Sequence, residues 1–387
     1  MQEELPMSLR QLSEFSGIED PRIDRKKLYP LNEILFLLVG AVISGCTSWE
    51  EIADFGEDKL SWLRKYLPYS NGTPSHDTID RVMTLIDHRA FEMFFINWVN
   101  SLQIKWLGLH IAIDGKKLRA SADKAAQQKP LNAGGKSPVH LVEAWCGALN
   151  LCLGQYKTSD KSNEITAIPA LLDLLEIKGC VITIDAMGCQ KKIAENIAGR
   201  EADYIFGLKG NQETLFEAVK ELFLTENVEG AQIFEEPVLE KSKHGRIEKR
   251  VCRVLKAGLL AESLTKDWEK IQTLIEVQSE RFITASEQYT FEKRYYVSSL
   301  KASPQQFNDI IRAHWGIENN LHWTMDVTFK EDKARKRNGF APQNFALIRR
   351  IALNLLQHIP DKISIARKMA KCARTDDYRD KALIFNA

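Results

Sequence analysis

This sequence has no Cys-x-x-Cys pair and no even set of cysteines. The seven, Cys46, Cys146, Cys152, Cys180, Cys189, Cys252 and Cys372, are scattered. That excludes a disulfide framework and a zinc knuckle, and points to reduced, mostly buried thiols. No sign of charge dominates either: 53 Lys and Arg stand against 52 Asp and Glu, a formal net charge of +1. A uniformly basic nucleic-acid surface is excluded, so any such affinity must come from local patches. Long apolar runs are missing too. The longest, Ile34 to Gly45, is about a dozen residues, too short to cross a bilayer and suited to a buried helix. The opening MQEELPMSLR is acidic and lacks the apolar stretch of a secretion signal. A soluble, cytoplasmic protein with no membrane partner is therefore expected. There is no internal repeat and no low-complexity segment.

What is present suffices for a large core. The chain has 387 residues, 44% hydrophobic and 27% charged, which suggests two or three domains and argues against broad disorder. Residues 1–105 read as helical. Leu31 to Ser44 is apolar nearly all round, as in a core helix. Ser48 is placed to cap a helix through Trp49, Ile52 and Phe55, and Pro74-Ser75 opens another with Ile79, Val82, Met83 and Ile86 at helical spacing. A third amphipathic element carries Phe91, Phe94, Phe95, Trp98 and Leu102. Such a cluster is either a helix-turn-helix DNA reader or a helical packing and dimerisation unit.

The texture changes after Gly108. In 106–230, apolar β-branched runs at Leu109–Ile113, Val139–Leu149, Leu151–Tyr156, Val181–Ile184 and Tyr204–Leu208 alternate with helices at 163–177, 189–199 and 211–224. Three consecutive strands followed by alternating helix and strand describe an α/β fold, a mixed sheet with helices on its faces, in the order of the RNase H-like fold. Residues 231–300 have period-two patterning, with Tyr289, Phe291, Tyr295 and Val297 on one face, and read as a β-rich insertion. It carries a basic cluster: Lys241, Lys243, Arg246, Lys249, Arg250, Arg253 and Lys256. Helical texture returns over 301–387.

Three carboxylates are the candidates for chemistry, the two aspartates standing equally as strand-end turn residues. Ile111-Ala112-Ile113-Asp114 and Ile182-Thr183-Ile184-Asp185 are buried-strand patterns that each end in an aspartate. Ligands gather at the carboxyl ends of strands in open α/β sheets. Two aspartates delivered to neighbouring strand ends make a negative cluster that calls for protons or a cation. The third is Glu318, which shares a helical stripe over Ser303–Asp326 with Phe307, Ile311, His314, Leu321 and Met325. A carboxylate within an inward-facing stripe is costly to bury unless that part of the helix overlies a metal. A zinc site from His314, Glu318 and His322, at four-residue steps, is the competing reading.

The segments IAIDGKKLRAS, SNEITAIPALLDLLEIKGCVITIDAMGCQ, ADYIFGLKGNQETL, HGRIEKR and RAHWGIENNLHWTMDVTFKED resemble the H-repeat-associated, insertion-sequence DDE transposases of bacteria. The resemblance covers about Asp20 to Leu356. It implies DNA strand cleavage and strand transfer at Asp114, Asp185 and Glu318, which would bind Mg²⁺, with Mn²⁺ as a substitute. The implied partners are element-end and target DNA, and a homodimer in a synaptic complex. In the wider superfamily the third carboxylate often lies in a Tyr-x2-Arg-x3-Glu-x6-Lys signature. Here Glu318 matches the Glu, but Ile311, His314 and Met325 replace the other three, which leaves His314 alone able to face phosphate. Lys116, Lys117 and Arg119 are candidates for the DNA backbone or a solvated loop; Lys209, beside Asn211 and Gln212, is a candidate where a helix start could meet phosphate, or where Asn211 caps. Arg246, Lys249, Arg250 and Arg253 are expected to bind DNA by charge. A cleaving nuclease without strand transfer and a catalytically idle DNA-binding relic are the alternatives.

Overall fold

The computed structural model describes residues 7–102, 104–122, 137–159, 164–224, 230–236, 246–283 and 286–384. Lys124, Lys129, Lys136, Lys241 and Lys243 lie outside the described residues, as does the side chain of Arg246.

Among the described residues up to Asn100 the α-helices are α1 (Met7–Glu14), α2 (Leu31–Ile43), α3 (Trp49–Asp58), α4 (Leu60–Leu63), α5 (His76–Leu85) and α6 (His88–Asn100). Ser48 caps α3 in a reciprocal capping box with Glu51. Helix α2, apolar on nearly every side, is buried along almost its whole length.

The sheet begins with β1 (His110–Leu118), β2 (Val139–Cys146) and β3 (Leu151–Lys157). Helix α7 (Glu164–Leu174), β4 (Val181–Ile184), α8 (Lys191–Gly199), β5 (Asp203–Leu208) and α9 (Glu213–Leu224) follow in alternation. Strand β2 runs antiparallel to β1 and β3, while β1, β4 and β5 are parallel. The order β3-β2-β1-β4-β5 is that of the RNase H-like fold. The stretch read as an insertion supplies β6 (Gln232–Glu235), β7 (Arg246–Lys256), the short α10 (Glu262–Thr265), β8 (Thr273–Ile283) and β9 (Gln288–Ser298). Strand β9 pairs antiparallel with β5, so these strands continue the same sheet, which reaches nine strands in the order β3-β2-β1-β4-β5-β9-β8-β7-β6.

Two local readings change. Strand β1 does not end at Asp114 but runs on to Leu118, because residues 114–118 keep their antiparallel pairing with β2 after β4 has stopped. The expected single helix over Ser303–Asp326 is three pieces: α11 (Pro304–His314), a π-helical turn Ile317–His322, and α12 (Trp323–Val327). Its start holds: Ser303 forms a capping box with Gln306 behind Pro304. The π turn was not readable, because a one-residue widening leaves the apolar spacing almost unchanged.

Helices α6, α7 and α8 cover one face of the sheet. The other face carries α11, the π turn and α13 (Ala341–His358), which also packs on α2, α5 and α6. After α13 come α14 (Ile365–Arg374) and α15 (Asp376–Leu383). One hydrophobic core joins the N-terminal helices to the sheet. Asn354 of α13 hydrogen-bonds both the N–H (2.9 Å) and the carbonyl (2.8 Å) of Cys152, closing the free edge of β3. All seven cysteines are unpaired thiols. Among the described residues, no helix is long and apolar enough to cross a membrane.

Beneath the π turn lies a fully buried ionic chain. Arg350 of α13 holds Glu143 of β2 (Nε to Oε1, 2.6 Å) and Glu331 (Nη2 to Oε2, 2.8 Å), while Arg349 also reaches Glu331 at 3.4 Å. The Arg350 charge holds Glu143 down to about 2 despite burial. Removing one member strands the others: Arg350→Met is expected to cost about 3–5 kcal/mol, read by chemical denaturation. Adding Glu143→Gln to Arg350→Met should cost less than the sum of the two single changes, as coupled neighbours do.

Candidate active site

Strand register decides where the first two aspartates stand. Ile113 lies opposite Ile184 in the parallel β1–β4 pair, so the next residue on each chain, Asp114 and Asp185, falls at the same level and on the same face. Asp114 accepts from the N–H of Gly115 at 2.8 Å. Asp185 caps the short turn 186–188 by accepting from Met187 N–H (3.0 Å) and Gly188 N–H (3.3 Å). Gly188 is required there: a Cβ would stand 2.2 Å from Ile184 Cγ2.

Glu318 lies in the π turn above that level. It lines, with Asp114 and Asp185, one cavity of about 390 Å³ whose other walls include Lys209, Lys293, Arg294 and His314. A second cleft of about 530 Å³, bordered by Lys117, Arg119, His140, Glu164 and His322, meets the first at Asp114 and Glu318. The structure thus brings the three carboxylates to one place. It does not bury Glu318 as the apolar stripe implied. Glu318 is exposed, and its neighbour Ile317 occupies the buried position, since the widened turn rotates the face that the helix presents.

Burial shows in the titration of the aspartates. Burial pushes the Asp114 carboxyl up to about 6; His322 and the Gly115 N–H oppose the shift, and the charges of Asp185 and Glu318 add to it. Burial also raises Asp185, as does the charge of Glu164, while the turn N–H groups and Lys209 pull it down. The residues fit a divalent cation: hard oxygen donors, partly desolvated, with more negative charge than nearby cations offset. As the structure stands, no group of three His, Cys, Asp or Glu side chains among the described residues is arranged to hold a metal ion. The zinc alternative fails on orientation. His314 Nδ1 bonds Thr183 Oγ1 at 2.8 Å, whereas His322 Nε2 lies 3.1 Å from Glu143 Oε2, on the other side of Glu318.

His322 is the main residue that sequence reasoning undervalued. Its Nδ1 stands 3.7 Å from Asp114 Oδ2. Glu143, at its other nitrogen, lies directly across from Asp114 in the β1–β2 pair. Facing carboxylates on adjacent strands repel; the imidazole between them and Arg350 behind Glu143 make the pair tolerable. The only signal was a lone acid within the apolar strand VHLVEAWC. Glu164 was also missed. It pairs with His140 at 2.8 Å, in space that only Gly115 leaves free, because a Cβ there would stand 2.0 Å from its Oε1.

The basic candidates divide. Lys209 is exposed on the cavity wall. Asn211 does not cap; it donates to Ala186 O (2.6 Å) and ties its turn to the Asp185 loop. Lys117 is exposed, on a strand rather than a loop. Arg119 is exposed with its Nε 3.4 Å from Asp332. Lys116 is a correction: it is buried on the Asp114 face and paired with Asp326. Arg250 and Arg253 are corrections too. Both are buried, Arg250 donating to Asn308 of α11 (3.0 Å) and Arg253 to Glu276 of β8 (2.8 Å), so they brace β7 from within rather than present a charged surface. Lys249 is half-buried. His314 lines the cavity, and burial, with the Arg294 charge, holds it down to about 4. Arg294, stacked 4.5 Å over Trp315 and bonded to Glu292 (2.7 Å), is the cavity cation not anticipated.

Residues 105–355 match the Transposase DDE domain family, and residues 12–99 the DDE_Tnp_1-associated family. The chain belongs to the DDE-domain transposases. Within them it belongs with the H repeat-associated group: it is 40% identical over 378 residues to "H repeat-associated putative transposase YhhI" of Escherichia coli (strain K12), covering 96% of this chain and 97% of that protein. It is also 46% identical over 79 residues, 20% of this chain and 94% of that protein, to "Inactive transposase YbfQ" of the same strain. A solved piggyBac transposase synaptic complex with hairpin DNA aligns at 12% identity and a TM-score of 0.46, over 97% of this chain and 77% of that one. At that score the likeness is too distant to bear on function.

The raised Asp114 carboxyl gives a stability signature. A carboxyl raised from 3.8 to about 6 on folding stabilises the fold at pH values below its unfolded value, and this contribution is lost as pH rises through about 6. In chelator, wild type should therefore lose about 1–3 kcal/mol relative to Asp114→Asn between pH 4 and 7. Parallel melting curves across that window would refute the raised Asp114 carboxyl.

Proposed function

We propose that the chain catalyses metal-dependent phosphoryl transfer on DNA, cutting at the ends of an insertion element and joining them to target DNA, with Asp114, Asp185 and Glu318 as the catalytic carboxylates. The observation that carries this reading is the arrival of all three at one cavity from β1, the β4 turn and the π turn. Magnesium, or manganese in its place, held as a pair by these carboxylates, would supply the Lewis acidity that activates the attacking oxygen and stabilises the leaving one. The attacking group is a water oxygen in cleavage and a 3′-hydroxyl in strand transfer. It forms a bond to phosphorus as the opposite P–O bond breaks in line, so no covalent enzyme intermediate arises. Lys209 and Arg294, on the cavity wall, offset phosphate charge. His322, braced by Glu143 and Arg350, orients Asp114. Lys117 and Arg119 extend a DNA track into the second cleft. Two copies acting on paired element ends would form the synaptic complex.

The exposed position of Glu318 supports a second reading, an idle DNA-binding relic, if the π turn never turns inward. A cleaving nuclease without strand transfer would use the same carboxylates and differs only in the joining step.

Asp185→Asn separates these. It is nearly isosteric and removes one charge from a crowded site. Mg²⁺-dependent nicking of DNA carrying the element's ends should fall at least about 100-fold, in line with the several kcal/mol that metal-borne charge stabilisation is worth, while DNA binding and the melting temperature hold or rise. Near-wild-type nicking by the variant would remove Asp185 from the chemistry. A wild-type protein that binds but never nicks supports the relic, and one that nicks without joining supports the nuclease.

A further inference from the structure

A separate cleft lies where the start of α3 meets the segment 330–336. It is lined by Lys330, Lys333, Arg335, Lys336 and Arg349, with Glu50 the one carboxylate on its wall. Trp49 lines its wall and meets the buried Phe345 behind it edge to face at 4.9 Å. Lys336 Nζ sits 4.0 Å over the Trp49 ring and 4.3 Å over Phe345, and Arg349 stacks on Phe345 at 4.3 Å. These two cations are held inward, while Lys330, Lys333 and Arg335 stand exposed at the rim.

Arg349 is 3% exposed. Its Nη1 reaches Glu331 at 3.4 Å, yet its Nη2 has no hydrogen-bond partner among the described residues. A buried guanidinium N–H left unpaired costs on the order of 1–3 kcal/mol unless something else completes it. Lys336 tells the same story: Nζ donates to Thr47 O at 3.1 Å, and burial pushes it down to about 7. An anion in the cleft would satisfy the open guanidinium edge and restore charge to the lysine. Glu50 is exposed and turned toward its own helix start, so it does not fill that role.

We infer that this cleft is a DNA-backbone phosphate site, distinct from the carboxylate cavity and built by the N-terminal helices together with the segment after Asp326. The inference rests on the DNA-transposase reading for its ligand. Three features favour a DNA phosphate over a small free anion. The rim cations follow one another along the chain, from the 3-10 turn Glu331–Lys333 to Arg335, rather than closing round one point. The cleft is open to solvent on that side. The segment also sits on the Asp114 face of the sheet, tied to Asp114 through Glu331, Arg350, Glu143 and His322. A duplex lying in this cleft would approach the cavity from the same side.

The test uses the full chain in chelator, so that no catalysis intervenes, with a fluorescent duplex carrying the element's ends. Lys330→Ala, Lys333→Ala and Arg335→Ala are combined, since all three are exposed and removing them should leave the fold intact. Anisotropy titrations over roughly 50–200 mM salt should show the variant binding at least about ten-fold more weakly, with the slope of log K against log salt shallower by about 2–3. Its melting temperature should not change. Lysine at position 335, with the other two restored, should recover most of the slope, as a phosphate contact tolerates. If wild type binds DNA and the variant's slope is unchanged, the site is overturned and the transposase reading stands. If wild type shows no salt-dependent DNA binding, both fall. If millimolar inorganic phosphate raises the melting temperature of wild type but not of the variant, while the DNA slopes coincide, the cleft is a small-anion site and the inference is wrong.

Discussion

The contact on which most of this molecule depends is the buried pair between Glu143 of the sheet and Arg350 of α13, 2.6 Å apart with neither side chain exposed. A lone charge at either place would be prohibitively costly in a dry interior. Together, and with Glu331 on the far side of the guanidinium, they become a cross-brace between the sheet and the helix that also gathers the N-terminal bundle. Glu143 is also the cross-strand neighbour of Asp114. The brace therefore does two things at once: it fixes α13 on β2, and it sets the charge environment in which the first aspartate must sit. His322 completes it from above, touching both carboxylates.

The second organising constraint is the end of β4. That strand stops at Ile184 while β1 continues, which opens a notch at the edge of the parallel pair. Asp114 and Asp185 face this notch. A regular helix crossing above would present Ile317 and Glu318 differently; the π turn lets Ile317 fill the core while the carboxylate stays at the mouth of the cavity. Irregular helical turns of this kind recur at functional sites because they re-aim one residue without unseating the rest. The cost is a carboxylate poised at the solvent edge, which a cation in the cavity could draw in.

Much of the frame was legible along the chain. Ser48 announced its helix by capping chemistry, and the strands at Ile111–Ile113, Val181–Ile184 and Tyr204–Leu208 announced themselves by largely apolar runs. These signals are local: a cap needs three residues, a buried strand four or five. The basic residues of β7 show where local reading stops. Arg250 and Arg253 read as a charged surface because a side chain's partners across a sheet are invisible in sequence. Their partners Asn308 and Glu276 come from α11 and β8, and pairing turned two apparent DNA contacts into internal braces. Lys116 was misread for the same reason, its partner Asp326 lying 210 positions away.

The sequence by itself determined the alternation of elements, the mixed sheet, and the two strand-borne aspartates with a third acidic position on a downstream helix, since each depends on residues within a turn or strand of one another. Only tertiary structure decided the rest. It welded β6 to β9 onto the core sheet, because edge pairing is set by what remains unpaired on β5. It set His322 between Asp114 and Glu143, where register alone makes the two acids neighbours. It gathered Lys330 to Lys336, Trp49 and Arg349 into one cationic cleft, because those residues meet only after α3 and α13 have packed on a common core.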